Sequence, residues 1–214
     1  KPAEAADPRR GLKLMNVTRR TLEELAGFGS AADCMAHARA LTRIVLNMPR
    51  LADGPAGRRA VNIDEAAYEE IGHLDPDGKG HAHYALEPGL VTRLSARVVR
   101  VAGAADSHHG YFVGGEGGHW ALIDPLPHGL AQNAAPGQVK WLLWTAAGTQ
   151  PSAATLDALR SAWPDAAVLW PQPGDTLRLA GATLHVSQAA DRGVPARQFL
   201  LAEERMLFTG CAAA

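Results

Sequence analysis

The chain has 214 residues, 47% of them hydrophobic and 20% charged, with 22 acidic and 21 basic side chains for a net charge of −1. That length and apolar content predict one large domain, or one domain with a small appendage, around a real core. The near-neutral balance offers no basic excess to neutralise phosphates, so nucleic acid is not an expected partner, and no apolar run reaches the roughly 18 residues a membrane span needs.

Residues 1–10 contain no apolar stretch of the signal-peptide kind, and the first dozen residues, polar and proline-bearing, read as a mobile lead-in. Cys34 and Cys211 lack ligand-like spacing and are expected as free thiols in a reducing compartment, with the cytoplasm as the expected address. Arg9, Arg10, Arg19 and Arg20 read as a small solvated basic cluster.

In chain order, Thr18 or Thr21 is suited to cap a helix over 22–26, with Glu23 and Glu24 in its first turn and Gly27 and Gly29 stopping it. Ser30 opens a second helix in which Met35, Ala38, Leu41 and Ile44 recur at helical spacing. The run Asp53-Gly-Pro-Ala-Gly, between apolar residues at 44–46 and Val61, predicts a small hairpin. Residues 64–72 read as a short helix closed by Gly72, and 73–89 as loop. From Pro88 the signals turn to strands. Residues 94–101 make one and 111–113 a second; the glycine-rich 114–118 is a hairpin turn, since no helix follows it. Residues 119–124 make a third. Residues 139–144 are apolar on both faces and therefore interior to a sheet. A helix over 152–162 points Ala154, Leu156, Leu159 and Trp163 to the core. Short strands are then expected at 166–170, 176–179, 183–186, 198–201 and 206–208.

Five stretches carry a resemblance. They are Trp120-Ala-Leu-Ile-Asp124-Pro, Val139-Lys-Trp-Leu-Leu-Trp-Thr145, Ser152-Ala-Ala-Thr-Leu-Asp-Ala-Leu, Gly181-Ala-Thr-Leu-His-Val, and the run from Phe199 through Met206-Leu-Phe-Thr-Gly210. In this order and at this spacing they resemble the metallo-β-lactamase superfamily. The resemblance implies an α/β fold, a partial or complete αββα sandwich over residues 88–214, preceded by a mainly helical extension over 1–87. In that family two His and an Asp-His pair follow the strand-ending Thr, and with later ligands they bind zinc or iron that activates water.

Here those positions fall on Ala146, Gly148, Gln150 and Pro151, the later histidine on Arg192, and the bridging aspartate on Cys211. Alanine, glycine and proline have no donor side chain, Gln150 is a neutral amide, and Arg192 is a permanent cation. The resemblance therefore implies a catalytically inactive member, a pseudoenzyme with no metal cofactor. Because the family's pattern continues past Ala214, it also implies a fold completed by a homo-oligomer or by another protein subunit. The alternative is a hydrolase of esters, thioesters or phosphodiesters, holding zinc or iron in a rearranged site drawn from His108, His109, His119, Asp124 and Cys211.

Other constellations read as structure. His81 and His83 have strand spacing but sit in a loop-like segment, and adjacent His108 and His109 point to opposite sides of an extended chain. Asp124 reads as a residue that holds backbone. Ser107, Ser152 and Ser187 lack a nucleophile elbow. Trp141, Trp144, Trp163 and Trp170 read as core or interface.

Overall fold

The computed structural model describes residues 1–44, 48–79, 82–104, 108–126, 129, 131–146, 151–191 and 194–209. The chain is mixed α/β and divides into two units, residues 1–85 and 86–214.

The first unit begins with helix where the sequence suggested a lead-in: α1 spans Pro2–Ala6, followed by a short 3-10 turn at Pro8–Arg10. Pro2 and Pro8 each open their helical turn, where the missing N–H costs nothing and the fixed φ already suits a helix. Helix α2 runs Asn16–Ala26, starting well before the expected caps. The Thr21 hydroxyl donates to the Val17 carbonyl at 3.0 Å, so Thr21 bonds back along the helix and does not cap it. Helix α3, Ala31–Ala40, is capped by Ser30 as the sequence suggests, through the Asp33 N–H at 3.2 Å. It ends sooner than expected, with Leu41 extended and Ile44 exposed. Three of the four arginines of the basic cluster are ion-paired, Arg9 to Asp7, Arg10 to Glu4, and Arg20 to Asp64 and Glu24, while Arg19 donates to the Ala6 carbonyl. These pairs are exposed and contribute little stability.

A hairpin forms around the expected turn, from β1 (Arg50–Ala52) and β2 (Arg59–Val61), but its first strand is not the apolar run at 44–46, of which Ile44 is exposed and 45–46 lie outside the described residues. Helix α4 covers Tyr68–Leu74 and does not begin at Asp64, because Glu65 instead accepts from the Asn62 N–H in a preceding turn. Gly72 lies inside α4, not after it, and the space a Cβ would fill is taken by the Arg50 guanidinium. Ala52, Val61, Tyr68, Ile71 and Ala82 form this unit's core. No helix among the described residues is long and apolar enough to cross a membrane.

In the second unit, six strands form one sheet in sequence order: β3 (Val91–Arg93), β4 (Val98–Val101), β5 (Gly110–Gly114), β6 (His119–Ile123), β7 (Gln138–Leu143) and β8 (Ala167–Val168). Pairing is antiparallel from β3 to β6 and parallel from β6 to β8. Of the stretch expected as one strand over 94–101, only β4 at 98–101 is strand; residues 94–97 turn between it and β3, with the Ser95 hydroxyl accepting from the Arg97 N–H at 3.1 Å. Helix α5, Ala153–Ala162, lies between β7 and β8 in sequence and is capped by the Ser152 hydroxyl. Its Leu159 is buried, whereas Ala154 is exposed, contrary to expectation.

A second, antiparallel sheet has the order β12-β11-β10-β9, from β9 (Thr176–Leu179), β10 (Ala182–Asp191), β11 (Val194–Leu201) and β12 (Met206–Phe208). Both β10 and β11 outrun their apolar segments, because the ladder between them continues through Gln188–Arg197 and Ala189–Ala196.

Strand alternation sorts the apolar residues into two cores. Val98, Val113, Ala121, Ile123 and Leu143 face the second sheet's Leu184, Val186, Phe199, Leu201 and Phe208. Val99, Phe112, Leu122 and Leu142 face the other way, against Leu126, Ala131 and Leu159 of α5. The described layers are thus helix, six-stranded sheet, four-stranded sheet. The sheets are tied at both ends. At one, the Glu116 N–H donates to the Ala180 carbonyl at 3.1 Å; at the other, the Arg197 N–H donates to the Thr145 carbonyl at 2.7 Å.

Candidate functional site

Strands β6 and β7 run parallel, so both end on one side of the sheet. The outside of parallel strand ends is where open α/β sheets usually build their sites. Asp124 follows β6 directly, with φ of 51°, a left-handed conformation unusual for a residue with a Cβ. Its N–H donates to the Leu143 carbonyl at 2.9 Å, which fixes the turn against β7.

The Asp124 carboxylate is buried and faces Thr145, which follows β7. Oδ1 accepts from the Thr145 backbone N–H at 2.8 Å, and Oδ2 accepts from the Thr145 hydroxyl at 2.7 Å. Burial pushes the Asp124 carboxyl above the ordinary aspartate value; the Thr145 bonds and the charge of His108 pull the other way. Asp124 thus holds the backbone at the end of β7.

From the other sheet, β11 closes on the same point. Ala196 forms an antiparallel bridge with Ala146, and the Arg197 N–H reaches the Thr145 carbonyl. Arg197 Nη1 donates to the Trp144 carbonyl at 2.9 Å, and its Nε is buried with no hydrogen-bond partner. Trp144 in turn stacks on Trp170, with ring centroids 5.1 Å apart. His109 Nδ1 accepts from the Gly103 N–H at 3.2 Å. That bond puts the proton of a neutral ring on Nε2 and turns the ring towards its own loop.

Of the residues considered for a rearranged metal site, the structure brings Asp124, His108 and His109 to this end of the sheet. His119 does not join them. It begins β6, whereas Asp124 follows its last residue, and five residues of strand span about 16 Å. His119 instead lines a groove of about 690 Å³ at the opposite end, with Glu116, Trp141, Arg178 and Thr183. Cys211, Gly148, Gln150, Arg192, Ser107 and His81 lie outside the described residues. His83, in the first unit, pairs as a parallel bridge with Asp53.

Ala146 is exposed and presents a methyl group, and Pro151 immediately precedes the cap of α5. Neither can donate to a metal, and among the described residues no three His, Cys, Asp or Glu side chains are grouped to share an ion. The described residues do not fit a zinc or iron pair.

Sequence reasoning missed Thr145 as the partner of Asp124 and missed Arg197 altogether. The signal for Arg197 was parity: it lies two residues before Phe199 and four before Leu201, on the inward row of β11. No protein-family model matches the chain, and no curated protein matches it.

Proposed function

We propose that residues 88–214 are a metallo-β-lactamase-like domain that has lost its metal chemistry, a pseudoenzyme whose scaffold serves binding or assembly. The reading rests on the five ordered stretches of resemblance. It is supported by two facing sheets whose β6 and β7 ends meet at Asp124 and Thr145. One observation carries it. Where the resemblance expects the first metal ligand, Ala146 offers a methyl group and commits its backbone to a bridge with Ala196. A metal-activated water has nothing to hold it there.

A retained scaffold without the chemistry suits a subunit, either of a homo-oligomer or beside another protein. In keeping with this, the outer face of the four-stranded sheet exposes the paired Leu200 and Leu207, 37% and 49% accessible. Native mass spectrometry of the purified full chain, with metal analysis on the same sample, tests both parts. A metal-free assembly supports the reading. A metal-loaded protein contradicts the first part, and a cooperatively folded monomer contradicts the second.

A further inference from the structure

We propose that Arg197 anchors a binding site for a small oxyanion, a carboxylate or a phosphate, between the two sheets at the Asp124–Thr145 end. The proposal rests on the reading of this domain as a metal-free binding scaffold and names what it binds.

The parity of β11 sends the Arg197 side chain into the inter-sheet gap, on the same row as the fully buried Phe199 and Leu201. There the apolar core stops and a permanent cation takes its place. A guanidinium has five N–H donors in a rigid fork, and the protein satisfies few of them. Nη1 meets the Trp144 carbonyl, while Nε is buried without an acceptor.

Among the described residues no carboxylate pairs with the charge. The Asp124 carboxylate makes its hydrogen bonds to Thr145, and Arg197 makes no ion pair among the described residues. Arg20 makes the contrast. Its Nε is also without a hydrogen bond, yet its guanidinium is paired with Asp64 at 2.8 Å. Arg178, in the groove at the other end, is exposed and has water for a partner.

Arg197 as a whole is half-buried, so part of its side chain is exposed although its Nε is not. A guanidinium fork with an unsatisfied buried donor, on a side chain that is partly exposed, matches an oxyanion that accepts two parallel hydrogen bonds. Where a metal pair would supply positive charge in the family resembled, this chain supplies a fixed guanidinium.

The test uses the full chain at constant ionic strength, titrated separately with inorganic phosphate and with acetate. Binding is read by calorimetry and by the NMR signal of the arginine Nε–H groups. The expected result is a saturable shift of the Arg197 Nε–H with at least one of the two anions, the responding one identifying the preferred class. Arg197→Met should weaken binding at least tenfold, Arg197→Lys should weaken it less, and Arg178→Met should leave it unchanged. If Arg197→Met does not fold, the Nε–H shift in the unaltered chain decides alone. No saturable shift with either anion, or equal binding in Arg197→Met, overturns the site. Metal content of the same sample separates the levels: a metal-free chain that binds neither anion overturns this proposal only, whereas a stoichiometric metal overturns the reading beneath it.

Discussion

Thr145 holds both oxygens of the Asp124 carboxylate, its N–H reaching Oδ1 at 2.8 Å and its hydroxyl reaching Oδ2 at 2.7 Å, with both residues buried. The Thr145 carbonyl then receives the Arg197 N–H from the other sheet. One residue therefore joins the end of β6, the end of β7 and the inner edge of β11.

Removing the Thr145 hydroxyl leaves Oδ2 of a buried carboxylate without a donor. Thr145→Val should cost about 1–3 kcal/mol, the usual penalty of a buried polar group stripped of its partner. Thr145→Ser keeps the donor and should cost clearly less. Equal losses for the two variants in urea unfolding would contradict the role given to this bond.

The burial of Asp124 has a pH signature. Its carboxyl is raised in the folded chain, so above the ordinary value of about 3.9 the folded state holds its proton longer than the unfolded state. Its contribution is fully present below that ordinary value and is lost as pH rises through the raised native value. The stability difference between the parent and Asp124→Asn should therefore shift in favour of Asp124 as pH falls from neutral towards about 4. A difference that does not change with pH would refute the assignment.

At the other end of the sandwich, Gly114 has φ of +125°, and a Cβ there would meet the Ala180 Cβ at 2.6 Å. Gly118 also has positive φ, +76°, but nothing lies within 4 Å of its Cβ position. Gly114→Ala should therefore pay twice, for backbone strain and for the clash, the latter about 1–3 kcal/mol. Gly118→Ala should show only the backbone cost of about 1–2 kcal/mol. Thermal melts of the two variants that coincide would contradict the docking of these turns.

Ala180 and Gly181 form the two-residue turn between β9 and β10, with φ of 50° and 78°. Both central positions of such a turn need positive φ, which alanine adopts only under strain. Ala180→Gly should stabilise the chain by up to about 1 kcal/mol, the relief of strain being offset in part by a looser unfolded chain. Destabilisation on unfolding would show that the Ala180 methyl matters more than its backbone.

Much of the sheet was legible because its signal is local. Residues 139–144 read as interior from apolar side chains on both faces, and β7 does lie between β6 and β8. Ser30 and Ser152 announced their helices through capping chemistry. What failed depended on partners distant in sequence. The ladder of β10 and β11 continues past their apolar residues because backbone pairing does not require apolar side chains. Gly72 reads as a stop, yet α4 runs through it, since Arg50 fills the space beside it. At the site, Asp124 was readable as a backbone holder from its Ile-Asp-Pro context. Its partner was not, because the separation of 21 positions between Asp124 and Thr145 is closed only by folding the two parallel strands side by side. His119 and Asp124 looked close in sequence, but a strand keeps its ends apart.

Quantitative metal analysis of the full chain, produced in medium supplied with zinc and iron and purified without chelator, tests the central claim most directly. A pseudoenzyme scaffold should retain far less than one zinc or iron per chain after dialysis, and added chelator should leave its melting temperature unchanged. One or two tightly held metal ions per chain, with a melting temperature that falls on chelation, would contradict it.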